Sequence, residues 1–472
     1  MSEPKITPSN FTTTQLQQWL SPIFPSQDIL LDPTDCWAYG YDNSRRQALP
    51  QAVVFITESK QAQALIKLCH DQQIPLIARG RGTGTTGATI PDHGGIVASF
   101  ERMNKILEIT PKDRLAVVQP GLTNSKLQKA LAQHGFFWPP DPSSAGFCSI
   151  GGNLACNAAG PKAVKYGTPR ENTLGLKAIT GTGAEIHCGV RTSKGVVGYD
   201  LTRLIIGSEG TLAFITEATL KLVPLPETVR TLRATYANIH GAAQAVAAIM
   251  GQPVVPCALE FMDAVALRLA REHTELDIAP QAGALLMIEV DGPLGCIENS
   301  IAAVKTAAQN PELLDLDVAA NATEVAQLWQ ARKDLSPTLR KIAPKKINED
   351  VVVPVSRIPE FMEHLQALGQ EYAITIVNFG HAGNGNIHVN LLVHPEQPGE
   401  LQRAEQCLAL IFKLVLELGG TLSGEHGVGL EKRDFIAQEI PQNTLVFMHA
   451  IKSQFDPKGI LNPGKTLPRF AL

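Results

Sequence analysis

Two stretches of this chain combine residue types and spacings that can do chemistry. The first is Asn378-Phe379-Gly380-His381-Ala382-Gly383-Asn384-Gly385-Asn386-Ile387-His388-Val389-Asn390, which sets two histidines around a tight Gly/Asn turn at the end of an apolar run. Downstream, Gly424-Glu425-His426-Gly427-Val428-Gly429 adds a carboxylate and a third imidazole. Two histidines and one carboxylate form a ligand set for a divalent transition metal and leave coordination positions open for a substrate. The flanking glycines remove side-chain bulk where something must approach the backbone. On the residues alone, a metal site and a polar turn with satisfied histidines both stand.

The second stretch is Arg79-Gly80-Arg81-Gly82-Thr83-Gly84-Thr85-Thr86-Gly87, directly after the apolar run Ile74–Ala78. Its glycines let the backbone turn tightly and come close to a ligand. Its hydroxyls, amides and arginines suit an anion such as a pyrophosphate. It contains a literal G-x-G-x-x-G, but a nicotinamide-binding reading needs a helix to open immediately afterwards. Ala88-Thr89-Ile90-Pro91-Asp92-His93-Gly94-Gly95 cannot start one. A Walker loop is excluded because no Gly-Lys-Ser/Thr follows. Two further clusters, Pro139-Pro140-Asp141-Pro142-Ser143-Ser144 through Asn157-Ala158-Ala159-Gly160 and Gly207-Ser208-Glu209-Gly210-Thr211, suggest one large ligand touched repeatedly, as a dinucleotide would be.

The elements that position these stretches form two series. Strand Ala52–Ile56, helix Lys60–Gln72, strand Ile74–Arg79, strands Gly95–Ser99 and Leu115–Gln119, helix Thr123–Gln133 and strand Ala218–Val223 make an α+β unit. After Pro224-Leu225-Pro226, strands and helices alternate: Thr231–Tyr236, His240–Met250, Ala258–Phe261, Ala264–Arg271, Ala284–Val290, Cys296–Gln309 and Leu313–Asp317. With Val351–Val353 and Ile374–Asn378 they predict an antiparallel sheet with helices on one face, followed by a core-facing helix over Leu401–Leu418.

The chain has 472 residues, 44% hydrophobic and 18% charged, enough for two to three domains. A formal net charge of −4 gives no general attraction to nucleic acid. Eight scattered cysteines without a C-x-x-C argue against disulfides and iron–sulfur clusters and point to a reducing cytoplasm. No signal peptide and no apolar run of about 18 residues is read, so membrane contact is peripheral at most, at the inner membrane.

The order Arg-Gly-Arg-Gly-Thr-Gly, Pro-Pro-Asp-Pro-Ser-Ser, Ser-Ile-Gly-Gly-Asn, and Gly-Ser-Glu-Gly-Thr before Ile-Thr-Glu resembles the FAD domain of the vanillyl-alcohol oxidase/PCMH-type flavoproteins. His-x-Gly-x-Gly-Asn-x-His-x-Asn, then Gly-Glu-His-Gly-x-Gly and the terminal Asp456–Lys465, resembles the FAD-linked D-2-hydroxyacid dehydrogenases. D-lactate dehydrogenase, D-2-hydroxyglutarate dehydrogenase and the glycolate oxidase flavin subunit are of that group. The resemblance implies an N-terminal segment 1–47 packed on a PCMH-type FAD domain over 48–226. It further implies a cap domain with the metal site over 227–455 and a C-terminal segment 456–472 returning to the FAD domain.

On that likeness Arg79, Gly80, Arg81, Gly82, Thr83, Gly84, Thr85 and Gly87 hold the FAD pyrophosphate. Pro140, Asp141, Ser144, Gly151, Gly152, Asn153, Asn157, Gly210 and Ile215 line the rest of the cofactor, and Asn462 and Lys465 return to it. FAD is expected to be non-covalent, because no histidine lies between Arg79 and Gly87. The likeness makes His381, His388 and Glu425 ligands of a divalent metal, zinc or manganese, and His426 the general base. Arg332 becomes the substrate-carboxylate arginine, with a surface ion pair as its plain alternative. Lys345 and Lys346 either reach a second carboxylate or stay solvated, and Ser336 stands where hydroxyglutarate-type enzymes have threonine.

The implied reaction is oxidation of a D-2-hydroxy acid, D-lactate first, with electrons passed to a quinone, cytochrome or flavoprotein. D-2-hydroxyglutarate oxidation, or service as the flavin subunit of a glycolate oxidase with an iron–sulfur partner, is the alternative. A flavin-free binding protein is the reading from outside the class, and the complete His/His/Glu/His set argues against it.

Overall fold

A computed structural model of the chain describes residues 11–273 and 278–468. Two compact units result. The first comprises the chain up to Ala159, Gly167–Leu225 and the chain from Glu425 onward; the second comprises Gly160–Tyr166 and Pro226–Gly424. The break expected after residue 226 thus falls after Leu225. Residues 425–455, expected with the second domain, group with the first. Hydrogen bonds explain this: the Val428 and Gly429 amides donate to Glu209, the Leu430 amide donates to Thr86 O, and Lys452 Nζ donates to Thr211 O.

In the first unit, strands Ile29–Leu30, Ala52–Phe55, Ile96–Ser99 and Leu76–Arg79 lie side by side in that order, the last three mutually parallel. Helix Ser59–Gln72 connects two of them and buries Ala62, Leu65, Ile66 and Cys69, the spacing of one helical face. Helix Thr13–Leu20, held by a Thr12/Gln15 capping box, adds Leu16 and Leu20 to the same core. So do Ile460 and Leu461: the Leu76 amide donates to Ile460 O and the Asn462 amide to Leu76 O, at 2.8 and 2.9 Å. A second, antiparallel sheet orders Ile106–Thr110, Leu115–Val118, Ala213–Lys221, Thr173–Thr180 and Glu185–Gly189. Its core includes Leu127 and Leu131 of helix Asn124–Ala132. Within the loop-like Pro/Gly/Ser stretch a short helix forms at Ile150–Cys156, capped by Ser149, whose hydroxyl accepts from the Gly152 amide.

The second unit is a seven-stranded antiparallel sheet in the order Leu313–Val318, Thr228–Tyr236, Ala284–Gly292, Ala258–Asp263, Thr375–His381, Asn386–Val393, Lys345–Val352. Helices cover both faces, where one was expected. Ala264–His273 and Ala322–Ile342 pack through Leu267, Leu328, Leu335 and Leu339 on Met262, Met287, Val377, Phe379 and Leu392. Helices Ile239–Met250 and Ile358–Glu371 pack on one another and on the sheet outside that cluster. Every residue of Asn386–Val393 is buried, so neither face of this strand meets solvent.

Candidate active site

The Gly/Asn stretch folds as a hairpin. Strand Thr375–His381 ends in one turn of 3-10 helix, Ala382–Asn384, and the chain reverses at Gly385 into Asn386–Val393. Gly385 has φ +72°, and a Cβ there would lie 1.9 Å from Val353 O, so only glycine closes this turn. His381 pairs with Asn386 and Phe379 with His388, which puts both histidines diagonally on one sheet face. Their rings stand 5.2 Å apart, edge to face, and both side chains are buried.

The neighbouring strand brings Glu260 directly opposite His381. Glu260 Oε1 lies 2.5 Å from His381 Nδ1, and its Oε2 accepts from Arg332 Nε at 2.8 Å. Burial alone would push this carboxyl up, but His381 and Arg332 outweigh it, and it sits below its usual range. With Nδ1 turned to Glu260, Nε2 is the nitrogen of His381 that faces a ligand. Arg332, on helix Ala322–Ile342, is buried rather than in a surface ion pair, and its guanidinium lies 4.7 Å from the centre of the Phe379 ring. One turn on, Ser336 Oγ accepts from Lys346 Nζ at 2.8 Å. Lys345 is exposed.

On the far side of His388 stands its ladder partner Asp350. Asp350 takes the Gly424 amide on its backbone carbonyl at 2.8 Å and on Oδ2 at 3.0 Å, and Ser423 Oγ on Oδ1 at 3.2 Å. That anchors the point where the chain leaves the second unit, one residue before Glu425. Ligand atoms of His381, His388 and Glu425 lie within 4.8 Å of one another. Glu425 Oε2 also accepts the Ala159 amide at 3.2 Å, and His426 O accepts from Thr86 Oγ1 at 3.3 Å. The donor set, two imidazoles and a carboxylate with a second carboxylate behind one imidazole, fits a divalent metal such as zinc. Sequence reasoning missed Glu260 and Asp350; neither lies in a glycine-rich stretch.

In the first unit the glycine loop leaves the end of strand Leu76–Arg79. A Cβ on Gly80 would lie 2.4 Å from Ser149 Oγ, so the loop and the start of helix Ile150–Cys156 touch. Gly151 is held by its amide on Pro120 O at 2.7 Å, and Gly210, at φ +73°, sits over Ala78. Gly84, by contrast, would place a Cβ within 4 Å of nothing. Thr85 Oγ1 and Asn462 Oδ1 are buried without a hydrogen-bond partner among the described residues. Open space beside Gly84, with an unsatisfied hydroxyl on the next residue, fits a phosphate-bearing cofactor such as FAD.

Several expected cofactor residues are committed elsewhere and shape the cradle from behind. Arg79 is buried; its Nη1 donates to Tyr41 O at 2.6 Å, and its guanidinium lies near the Tyr39 and Tyr41 rings. Arg81 is exposed and paired with Glu101. Asn153 bonds Asn124 and Cys148, and Asn157 Oδ1 accepts from Thr168 Oγ1 and the Arg170 amide. Pro140 O accepts from Asn124, the Asp141 amide donates to Ala159 O, Ser144 O accepts the Cys148 amide, and Ile215 lies in the sheet core. Gly82, at φ +66°, lies against the Arg79 guanidinium, Gly87 has φ +76°, and Thr83 is half-buried. Lys465 is buried and bonded to Asp92, and burial pushes its ammonium below the usual lysine range.

A glycine cradle for a dinucleotide, together with a histidine–carboxylate cluster, defines a flavin-linked oxidoreductase. Residues 50–189 match the family model described as "FAD binding domain", and residues 225–466 match "FAD linked oxidases, C-terminal domain". The chain belongs to this FAD-linked oxidase family. It is 38% identical over 434 residues to the glycolate oxidase subunit GlcD of Bacillus subtilis (strain 168), covering 92% of each chain. It is 33% identical to a D-lactate dehydrogenase of Archaeoglobus fulgidus, over 92% of this chain and 96% of that one. A D-2-hydroxyglutarate dehydrogenase of Stutzerimonas stutzeri is 32% identical over 93% and 95%. The structure of p-cresol methylhydroxylase superposes with a TM-score of 0.80 at 16% identity, covering 99% of both chains, which shows a shared fold. No helix among the described residues is long and apolar enough to cross a membrane.

Proposed function

We propose that this chain oxidises a D-2-hydroxy acid to the 2-oxo acid, with D-lactate the first candidate. The observation that carries the reading is the convergence of His381, His388 and Glu425, with Glu260 behind His381. The relatives' names supply the substrate class. Oxidation takes a proton from the hydroxyl and the α-hydrogen as hydride. FAD supplies the hydride acceptor, and a divalent metal on His381, His388 and Glu425, zinc or manganese, supplies a positive centre that acidifies the hydroxyl. Glu260 fixes the tautomer and ring direction of His381. Arg332 binds the substrate carboxylate through the Nη groups that Glu260 does not take. His426 accepts the hydroxyl proton on its imidazole.

FAD is held non-covalently by Gly80–Gly87, Gly151, Gly152, Gly210 and Asn462. Electrons leave to a quinone, cytochrome or electron-transfer flavoprotein in the cytoplasm or at the inner membrane surface. The second reading is a flavin subunit working with an iron–sulfur partner chain, favoured by the likeness to GlcD. The Lys346–Ser336 pair, one turn along the helix from Arg332, keeps D-2-hydroxyglutarate in view as a dicarboxylate substrate. The test is a panel of D- and L-lactate, glycolate and D-2-hydroxyglutarate with a dye acceptor. Bleaching of the flavin by a D-acid supports the reading; a colourless protein, or one that only L-acids reduce, overturns it.

A further inference from the structure

We propose that Glu209 is a positioning residue for His426. This rests on the reading of His426 as the proton acceptor. Glu209 lies in the Gly-Ser-Glu-Gly-Thr loop, fully buried and at a left-handed φ of +52°, a conformation that a non-glycine residue adopts only when its surroundings enforce it. No step in the proposed reaction uses its carboxylate. Its oxygens accept the amides of Val428 at 2.5 Å and Gly429 at 2.8 Å, the second and third residues after His426 in sequence counting onward from Gly427. Thr466 Oγ1 adds a third donor at 3.2 Å, and the Glu209 carbonyl accepts from Asn462 Nδ2 at 2.7 Å.

Successive backbone amides wrapped on a carboxylate make an anion-binding nest, and that nest dictates the His-Gly-Val-Gly sequence. Gly427 has φ +87°, and a Cβ there would lie 2.3 Å from Glu209 Oε1; Gly429 has φ +51°, and its Cβ would lie 2.2 Å from Thr86 O. Two glycines make the segment after His426 pliable, and the carboxylate removes that freedom. Thr86 Oγ1 holds the His426 carbonyl from the other side. The imidazole therefore hangs from a backbone clamped at its own carbonyl and at the two amides beyond Gly427, on supports drawn from two separate glycine loops. A proton acceptor displaced by about 1 Å loses about 10²-fold in rate.

The experiment compares the full-length FAD- and metal-loaded enzyme with Glu209→Gln, His426→Ala and the double variant, reading kcat, KM, flavin content and metal content. Glu209→Gln keeps one acceptor oxygen but turns an NH2 toward a backbone amide. Its expected result is about a 10²-fold loss of kcat with KM, flavin and metal retained, and no further loss when added to His426→Ala. Full turnover in His426→Ala overturns the reading of His426 itself. An impaired His426→Ala beside a Glu209→Gln of normal kcat, or losses that multiply in the double variant, overturns the positioning role alone. If Glu209→Gln does not retain flavin, Glu209→Asp, which keeps the charge and withdraws it by one methylene, decides by the same readouts.

Discussion

His381 Nδ1 lies 2.5 Å from Glu260 Oε1, and the two residues face each other across adjacent antiparallel strands in the buried core of the second unit. A carboxylate there would be unfavourable without partners, and Arg332 is the second one. The arrangement gives one imidazole a fixed direction and ties Arg332 to His381 through the same carboxylate.

Replacing Glu260 by Gln preserves shape and removes charge. Metal affinity should fall about 10–100-fold, the usual effect of losing a carboxylate behind a ligating histidine. Activity should return in part as metal is added to the assay. Metal titration by calorimetry checks this; unchanged affinity would show that Glu260 supports only the fold.

His388→Ala should lose metal and turnover together while flavin content holds, because the cofactor-cradle glycines and Asn462 belong to the other unit. A chelator should reproduce the loss in the parent enzyme, and zinc or manganese should reverse it. Activity that survives both the substitution and the chelator rules out a catalytic metal at this hairpin.

The hairpin itself was readable in the sequence, because Gly385 and its neighbours force a reversal that brings His381 and His388 together. Glu260 was not. Its meeting with His381 depends on strand order between segments 121 residues apart, which no local pattern encodes. Helix Ala322–Ile342, which carries Arg332, was also hidden. Pro337 lies inside it, a residue that reads as a helix breaker, and its outward side is charged, so the apolar spacing of Leu328, Leu335 and Leu339 is diluted. Helix Ile150–Cys156 was hidden by Gly151, Gly152 and Asn153, poor helix formers that tertiary packing overrides. The glycine loops were legible as a cradle. The commitments of Arg79, Asn153 and Asn157 were not, since residue type does not say which way a polar side chain turns.

Asp263 offers a pH prediction. Burial raises its carboxyl from 3.8 to about 6, against the pull of amides from Ala266 and Asn378. A raised folded-state pKa means that the native protein binds more protons than the unfolded chain between these values. This group's contribution is therefore fully present below about pH 4 and falls as pH rises to about 6, by about 3 kcal/mol at most. Asp263→Asn lacks the titration. Urea unfolding of both proteins should give a stability difference that changes across this window and is flat above it; parallel curves throughout would refute the assignment.

The last prediction separates the cofactor from the fold. A Cβ at Gly84 meets nothing within 4 Å, whereas one at Gly95, φ +86°, would lie 2.1 Å from Pro75 O. Gly95→Val should therefore destabilise the protein whether or not FAD is present. At Gly84→Val the Cβ has no protein atom within 4 Å, so the flavin-free form should melt close to the flavin-free parent while FAD retention collapses. The flavin in the parent should leave with the supernatant on acid precipitation: no histidine lies in the loop, and buried Cys148 is bonded to Asn153. Absorbance of the precipitate and supernatant, with the melting temperature of each apo-protein, reads all three outcomes. Normal flavin content in Gly84→Val would mean that the pyrophosphate does not lie against this loop.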